Sequence, residues 1–316
     1  EHEETCPFCL GNEHQTPPPV LQSPASGQWE IRVVENLYPI LNDDPIVPGL
    51  IPGMQQVIEG YGHHEIIIDH SNHGIALHQM SKQHLALLFS VYQERMQFLY
   101  QTYPRVRYIL VFKNFGKAAG GSIPHTHSQI IAMPLVPHNV QDEVECSRSF
   151  YDKTGSCIFC TLIDEALPLE TTSFDRSSGE KHQNYQPGNY FIEQGKHFIA
   201  IKPFASRYEW EIHILPLKHQ SNFLYATDEE FNDLAGVLKR TMTRLEAVIG
   251  EVQYNYFLHT VPHVKNSTDS ALSFHWHLEI CPRTSIPSGF ELGSGLFVNT
   301  INPEEAALQL RQINLP

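Results

Sequence analysis

Apolar positions along this chain recur with two periods, and the periods alternate in the same order twice. In the first half, Trp29–Val34 alternates as a strand does, and His64–Asp69 and Arg105–Phe112 are strand-like apolar runs. Between the last two, Leu85, Leu88, Tyr92, Met96 and Leu99 recur at helical spacing, with Ser81 placed to cap a helix reaching about Thr102. Ile130–Met133 closes the half as another strand. In the second half, Asn189–Lys202 and Glu209–Pro216 are strand-like, and Asp228 opens a helix through Phe231, Leu234, Leu238, Met242 and Leu245. Gln253–His259 and Phe274–Ile280 follow as strands, and a tail helix is expected near Pro303. Residues 1–28 and 42–62, rich in proline, glycine and polar residues, are expected to be loops, and polar residues 170–189 a mobile connection.

The repeat extends to ligand-type residues. Each half opens on a Cys-x-x-Cys pair, Cys6/Cys9 and Cys157/Cys160. A histidine in a turn follows 64 residues after Cys9 (His73) and 59 residues after Cys160 (His219). A His-x-His stretch comes next at nearly equal distance, His125/His127 and His275/His277. Four ligand types in one order at near-equal spacing argue for an internal duplication of about 150 residues. They also define two four-ligand sets, Cys6, Cys9, His73, His125 and Cys157, Cys160, His219, His275, each of the closed tetrahedral kind that holds structural zinc. Spacing alone favours His73 over His63, His64, His70 and His78, and His219 and His275 over His213 and His277.

Composition narrows the class. The 316 residues carry a net charge of −14 with only 21 basic residues, which argues against a nucleic-acid surface. No apolar run reaches the ~20 residues of a membrane span, and no secretory signal opens the chain. The chain starts at Glu1, not Met, which leaves room for a segment upstream. Its six cysteines are too few and too spread for a disulfide scaffold, so the paired ones are expected to bind metal in the cytoplasm, with Cys146 and Cys281 ordinary thiols.

The chemistry concentrates in Gly120-Gly121-Ser122-Ile123-Pro124-His125-Thr126-His127-Ser128-Gln129. In extended chain, His125, His127 and Gln129 share one face. With His125 spent on metal, His127 is free to attack phosphorus as a neutral imidazole. Gln129 can donate to a phosphate oxygen, while Ser122 and the Gly120 and Gly121 amides cradle another. The matching loop in the second half, Lys265–Ser273, lacks the glycine pair, and Glu279 stands where Gln129 does, so that half is read as structural.

These residues resemble the galactose-1-phosphate uridylyltransferase family, a duplicated branch of the histidine-triad superfamily. The likeness spans nearly the whole chain and is carried by Cys6–Asn12, Arg32–Pro39, Asn114–Lys117 and Ser122–Gln129. It implies an α+β fold of two histidine-triad-like repeats, each an antiparallel or mixed sheet with a long helix, related by a pseudo-two-fold axis. Residues 1–150 would form the N-terminal repeat with the catalytic His-x-His-x-Gln, and residues 151–316 a structural, acceptor-binding repeat, usually in a homodimer. The resemblance makes His127 the nucleophile and Gln129 the residue that marks transferases. It makes Asn114 and Ser122 phosphate contacts, Asn36 part of the nucleoside-contacting segment, and Glu291 a sugar contact. Two departures stand out: Thr126 lies where the family usually has proline, and Ser288–Gly295 is glycine-rich, closer to the branch that handles ADP-glucose and inorganic phosphate.

The resulting expectation is a nucleotidyltransferase of galactose metabolism with two zinc ions per chain. It would move a nucleoside monophosphate from a nucleotide sugar of the UDP-glucose type to a sugar 1-phosphate of the galactose-1-phosphate type, through a covalent nucleotidyl-histidine in a ping-pong cycle. The alternatives are an ADP-glucose phosphorylase-like adenylyltransferase using inorganic phosphate, and a catalytically silent, zinc-stabilised nucleotide-binding protein.

Overall fold

Ten strands join edge to edge into one sheet in the computed structural model, which describes residues 2–44, 59–167, 188–263 and 268–315. The strands are β1 (Pro19–Ser23), β2 (Ile31–Glu35), β3 (His63–Ile68), β4 (Tyr108–Phe115), β5 (His127–Met133), β6 (Phe191–Gln194), β7 (Phe198–Ile201), β8 (Ile212–Pro216), β9 (Tyr254–His259) and β10 (His277–Pro282). The helices are α1 (Lys82–Thr102), α2 (His138–Thr154), α3 (Ile158–Ala166), α4 (Asp228–Ile249), α5 (Thr268–Ser273), α6 (Gly289–Ser294) and α7 (Pro303–Arg311). The strand order is β1-β2-β3-β5-β4-β9-β10-β8-β7-β6, and every pairing of neighbouring strands is antiparallel. Matching β1–β5 with β6–β10 makes that order read the same from either edge, with β4 and β9 meeting in the middle.

Alternation along the strands sends successive side chains to opposite faces. Ile31, Val33, Ile67, Val111 and Ile130 face one side with Ala200, Ile212, Tyr254 and Leu278, forming the main core beneath α1 and α4. Ser81 caps α1 by accepting from the His84 amide, and Thr227 and Glu230 form a reciprocal cap on α4. Phe89 of α1 stacks on Phe231 of α4 at 6.3 Å between ring centres. Each such fully buried side chain contributes about 1.5–3 kcal/mol. The other face carries two smaller apolar clusters, one around Cys6, Phe8 and Cys9 on Ile68, the other around Cys157 and Phe159 on Ile199 and Ile201.

Several expectations change. The stretch expected to be a loop over residues 1–28 contains edge strand β1, with Pro19 as its first residue, where a missing N–H removes no ladder bond. The run Asn189–Lys202 is two strands, β6 and β7, folded at Gly195. Helix α2, absent from the sequence reading, buries only Val140 and Ser147 and so has no apolar stripe to read. Strand β4 begins and ends later than expected, reaching Phe115, and β5 starts at His127, so that His125 precedes it. Residues 45–58 of the connection 42–62, most of the polar stretch 170–189, and Lys265 lie outside the described residues. Among the described residues, no helix is long and apolar enough to cross a membrane.

Candidate active site and metal-ligand sets

The small cluster around Cys6 and Cys9 brings the first ligand set together. Ligand atoms of Cys6, Cys9, His73 and His125 all lie within 4.8 Å of one another. His125 Nδ1 is 3.6 Å from both sulfurs, and His73 Nδ1 is 3.3 Å from Cys9 Sγ. Tetrahedral zinc, with bonds of about 2.3 Å to sulfur and 2.0–2.1 Å to nitrogen, sets sulfur and nitrogen about 3.6 Å apart. The outer nitrogens are also committed: His125 Nε2 donates to the His70 carbonyl at 2.7 Å, and His73 Nε2 lies 3.0 Å from a Glu3 carboxylate oxygen. Those contacts turn both Nδ1 lone pairs toward the sulfurs, the outer arrangement expected of metal-ligating histidines.

Cys157, Cys160, His219 and His275 form a second set of the same size. Cys160 Sγ lies 3.4 Å from His219 Nδ1 and 3.7 Å from His275 Nδ1. His219 Nε2 donates to the Ala271 carbonyl at 2.9 Å, while His275 Nε2 is buried with no partner among the described residues. Both donor sets fit a tetrahedral N/S metal. Of the competing histidines, His63, His64, His70, His78, His213 and His277 all lie outside these two sets.

His127 follows the first set directly. Its Nδ1 lies 2.8 Å from the His125 carbonyl, which can only accept, so Nδ1 carries the proton and Nε2 the lone pair. Phe8, between the two cysteines, packs edge-on to the His127 ring at 5.3 Å. Burial lowers the His127 pKa, and the Lys113 charge lowers it further.

Gln129 lies one residue pair further along the same face. Its Oε1 accepts from His64 Nε2 at 2.9 Å, and the Asn36 side-chain nitrogen lies 3.3 Å from His64 Nδ1, which is left to accept. Burial keeps His64 neutral by lowering its pKa. His64 thus links Asn36 and Gln129, a role the sequence reading missed. The signal available was its place in β3, on the same face as Ile66 and Ile68.

Asn114 is oriented from the other half of the sheet. Its Oδ1 accepts from Asn255 Nδ2 at 2.7 Å, which turns its amino group toward the Gly120 loop. Asn255 also donates to the Ala119 carbonyl at 2.8 Å and accepts from Arg283 Nε at 2.5 Å. The expected cradle of free glycine amides is corrected here. Gly120 N donates to the Lys117 carbonyl at 3.0 Å and Gly121 N to the Gly116 carbonyl at 2.9 Å, so both are spent inside the loop. A Cβ on Gly121 would sit 2.9 Å from the Asn114 carbonyl, so glycine is needed for the loop's approach to β4. Ser122 is exposed beside it.

Glu291 is set elsewhere, on α6 in a cleft with Arg207, Tyr208 and Phe297. Its carboxylate accepts from the Ser288 amide and hydroxyl, both at 2.9 Å, capping its own helix.

A further group was not foreseen. Glu143 of α2, His259 of β9, and His277 and Glu279 of β10 converge within 4.8 Å. His277 Nδ1 donates to the His275 carbonyl at 3.0 Å, and its Nε2 lies 3.2 Å from Glu143 and 3.5 Å from Glu279. Burial alone would lower the His277 pKa, but the two carboxylates outweigh it and push it up to about 9. Glu279 also meets Arg207 and His213. Burial would raise its pKa, yet His259, His213, His277 and Arg207 hold it well below the carboxylate range.

Comparison with known proteins gives one consistent neighbourhood. A family model described as galactose-1-phosphate uridyl transferase, N-terminal domain, matches residues 54–137. The ADP-glucose phosphorylase of Arabidopsis thaliana is 32% identical over 315 residues, covering 98% of this chain and 82% of that protein. The galactose-1-phosphate uridylyltransferase of Thermotoga maritima is 29% identical over 314 residues, covering 97% and 89%. The crystal structure of the Arabidopsis ADP-glucose phosphorylase with bound ADP-glucose superposes with a TM-score of 0.85 at 30% identity, covering 100% of this chain and 92% of that one.

Proposed function

The chain belongs to the galactose-1-phosphate uridylyltransferase family, and from that premise we propose that it transfers a nucleoside monophosphate from a nucleotide sugar through a covalent intermediate on His127. The observation that carries this reading is the bond from His127 Nδ1–H to the His125 carbonyl. It fixes one tautomer and leaves Nε2 as the nucleophile. Nε2 attacks the α-phosphorus, a P–N bond forms, and the P–O bond to the departing sugar 1-phosphate breaks. The His125 carbonyl then faces the proton of a cationic, phosphorylated ring and stabilises it. Gln129, with Oε1 turned to His64, offers its amino group to a phosphate oxygen, and Asn114 offers its own. Ser122 and Gly121 line the same loop, and Asn36 joins through His64. An acceptor phosphate oxygen then attacks the same phosphorus and frees His127, which makes the cycle ping-pong.

Between donors, ADP-glucose with inorganic phosphate as acceptor is favoured by the glycine-rich segment Ser288–Gly295. Within it, one Glu291 carboxylate oxygen accepts both Ser288 bonds that cap its own helix. The likeness to a phosphorylase supports the same choice. Incubation with α-phosphate-labelled ADP-glucose or UDP-glucose should place label on His127, and phosphate should then release it as nucleoside diphosphate. No label from either donor would overturn the transfer reading, whereas release of label from UDP-glucose by galactose-1-phosphate alone would restore the uridylyl one.

The same proposal takes the two Cys/His sets as zinc sites, two ions per chain, held by Cys6, Cys9, His73, His125 and by Cys157, Cys160, His219, His275. Zinc supplies a structural cross-link there, and four thiols that must stay reduced suit the cytoplasm. The palindromic strand order supports two histidine-triad-like repeats, 1–150 and 151–316, related by a pseudo-two-fold axis. Exposed Ile286, Leu292, Leu296 and Val298 give a homodimer an apolar surface to bury. Metal analysis and the mass in solution test these two points.

A further inference from the structure

Beneath His127, on the helix-covered face of the sheet, lies a charge that neither metal binding nor nucleotidyl transfer uses. Lys113 of β4 is wholly buried. A buried ammonium persists only if its charge and its three N–H groups are met. Lys113 Nζ meets all three, donating to Asp69 Oδ2 at 2.5 Å, Thr126 Oγ1 at 2.7 Å and the His127 carbonyl at 3.0 Å. Asp69 holds the same segment from the other side. Its amide donates to the Thr126 carbonyl at 3.2 Å, and its Oδ2 accepts from Ser128 Oγ at 3.1 Å. Ser128 in turn lies 2.6 Å from Tyr92 OH and 3.0 Å from Tyr256 OH, so α1 and β9 both brace the pair.

The ladder explains why the brace is needed. Pairing of β4 with β5 ends at Lys113↔Ser128, one residue short of His127. The His127 carbonyl therefore lies beyond the last pair with β4, and the Lys113 ammonium takes it. Thr126 belongs to the same device, because its hydroxyl is an acceptor that proline at that place could not provide.

We propose that Lys113, with Asp69 as its counter-ion, is a positioning residue that clamps the Thr126–His127 main chain and so keeps the His127 imidazole in register with the His125 carbonyl. The inference rests on the reading of His127 as nucleophile. Lys113→Met alone would strand a buried carboxylate, so the test uses the double variant Lys113→Met/Asp69→Asn, which removes both charges and keeps both shapes. Labelling of His127 by ADP-glucose or UDP-glucose in a single turnover should fall about 100-fold, with affinity for ADP unchanged. Imidazole nitrogen NMR should find His127 in one tautomer in the parent and in a mixture in the variant. Thr126→Ser should keep the parental rate and Thr126→Val should lose about 10-fold, a rescue that general loss of packing would not reproduce.

A double variant that labels at the parental rate with its tautomer unchanged overturns the clamp. So does one that loses ADP affinity and thermal stability in step with the rate, since that is a merely structural role. If the double variant does not fold, Thr126→Val decides alone, and an unchanged rate and tautomer overturns the proposal. If the parent takes no label, nucleotidyl transfer fails as a reading, while the tautomer comparison still decides the clamp.

Discussion

On β5, His127 donates its Nδ1 proton to the carbonyl of His125; on β10, His277 donates to that of His275, at 2.8 and 3.0 Å respectively. An aromatic residue from between two cysteines packs on each ring, Phe8 at 5.3 Å and Phe159 at 5.0 Å. Up to that point the two strands are alike. They part at the other nitrogen. His277 Nε2 faces Glu143 and Glu279 and is held protonated, so it has no lone pair to give and sits among carboxylates that would repel a phosphate. His127 is lowered instead of raised, and the neighbour two residues on is an amide. On the proposed function, a nucleophile is thus made or unmade by what surrounds the same imidazole on the same scaffold.

The comparison can be broken most directly at His127. His127→Asn should cut labelling and turnover by about 10⁴-fold or more while leaving ADP affinity intact, as measured by single-turnover quench and calorimetry. Residual turnover near the parental level would move the chemistry elsewhere. The two ligand sets should differ next. Cys9→Ser and Cys160→Ser should each lower the melting temperature by roughly 5–10 °C. Only Cys9→Ser should also slow labelling, by about 100-fold, because His125 carries the carbonyl that orients His127. Equal slowing by both would erase the distinction between the halves. Glu279→Gln should cost about 3 kcal/mol in denaturant unfolding by leaving Arg207 and His277 short of a counter-charge, with the labelling rate unchanged. The smallest effect is expected at Glu291→Ala, less than about 2-fold in phosphate-dependent release, since its carboxylate serves its own helix.

Much of the frame was legible because it depends on apolar period. Helices α1, α4 and α7 and strands β3 and β10 bury the residues whose spacing announces them. The failures share a cause. Strand β4 was expected to stop at Phe112 because Lys113 and Asn114 are polar, yet both continue the strand, one clamping His127 from below and the other meeting Asn255. Local pattern misleads where a strand gives its core-facing or site-facing positions to polar work. Glu143 was hidden for a different reason, since α2 is polar nearly all round and nothing in its sequence says which side meets His259. The ligand sets could be listed from spacing, but the His127 tautomer, the spent glycine amides and the capped Glu291 depend on the exact local path of the backbone, which residue type and period do not encode.

Asn255 links the glycine loop of one half, proposed to meet phosphate, to the middle strand of the other, holding Asn114 and Ala119 while Arg283 holds it in turn. For anyone building hybrids of this protein with a relative, the join between residues 154 and 157 looks like a natural place to cut, but the donor of the C-terminal piece would bring its own residue to position 255. The graft would then arrive with a foreign setting for the loop it never contains, and hybrids of one N-terminal piece should vary in phosphate affinity according to the parentage of the other.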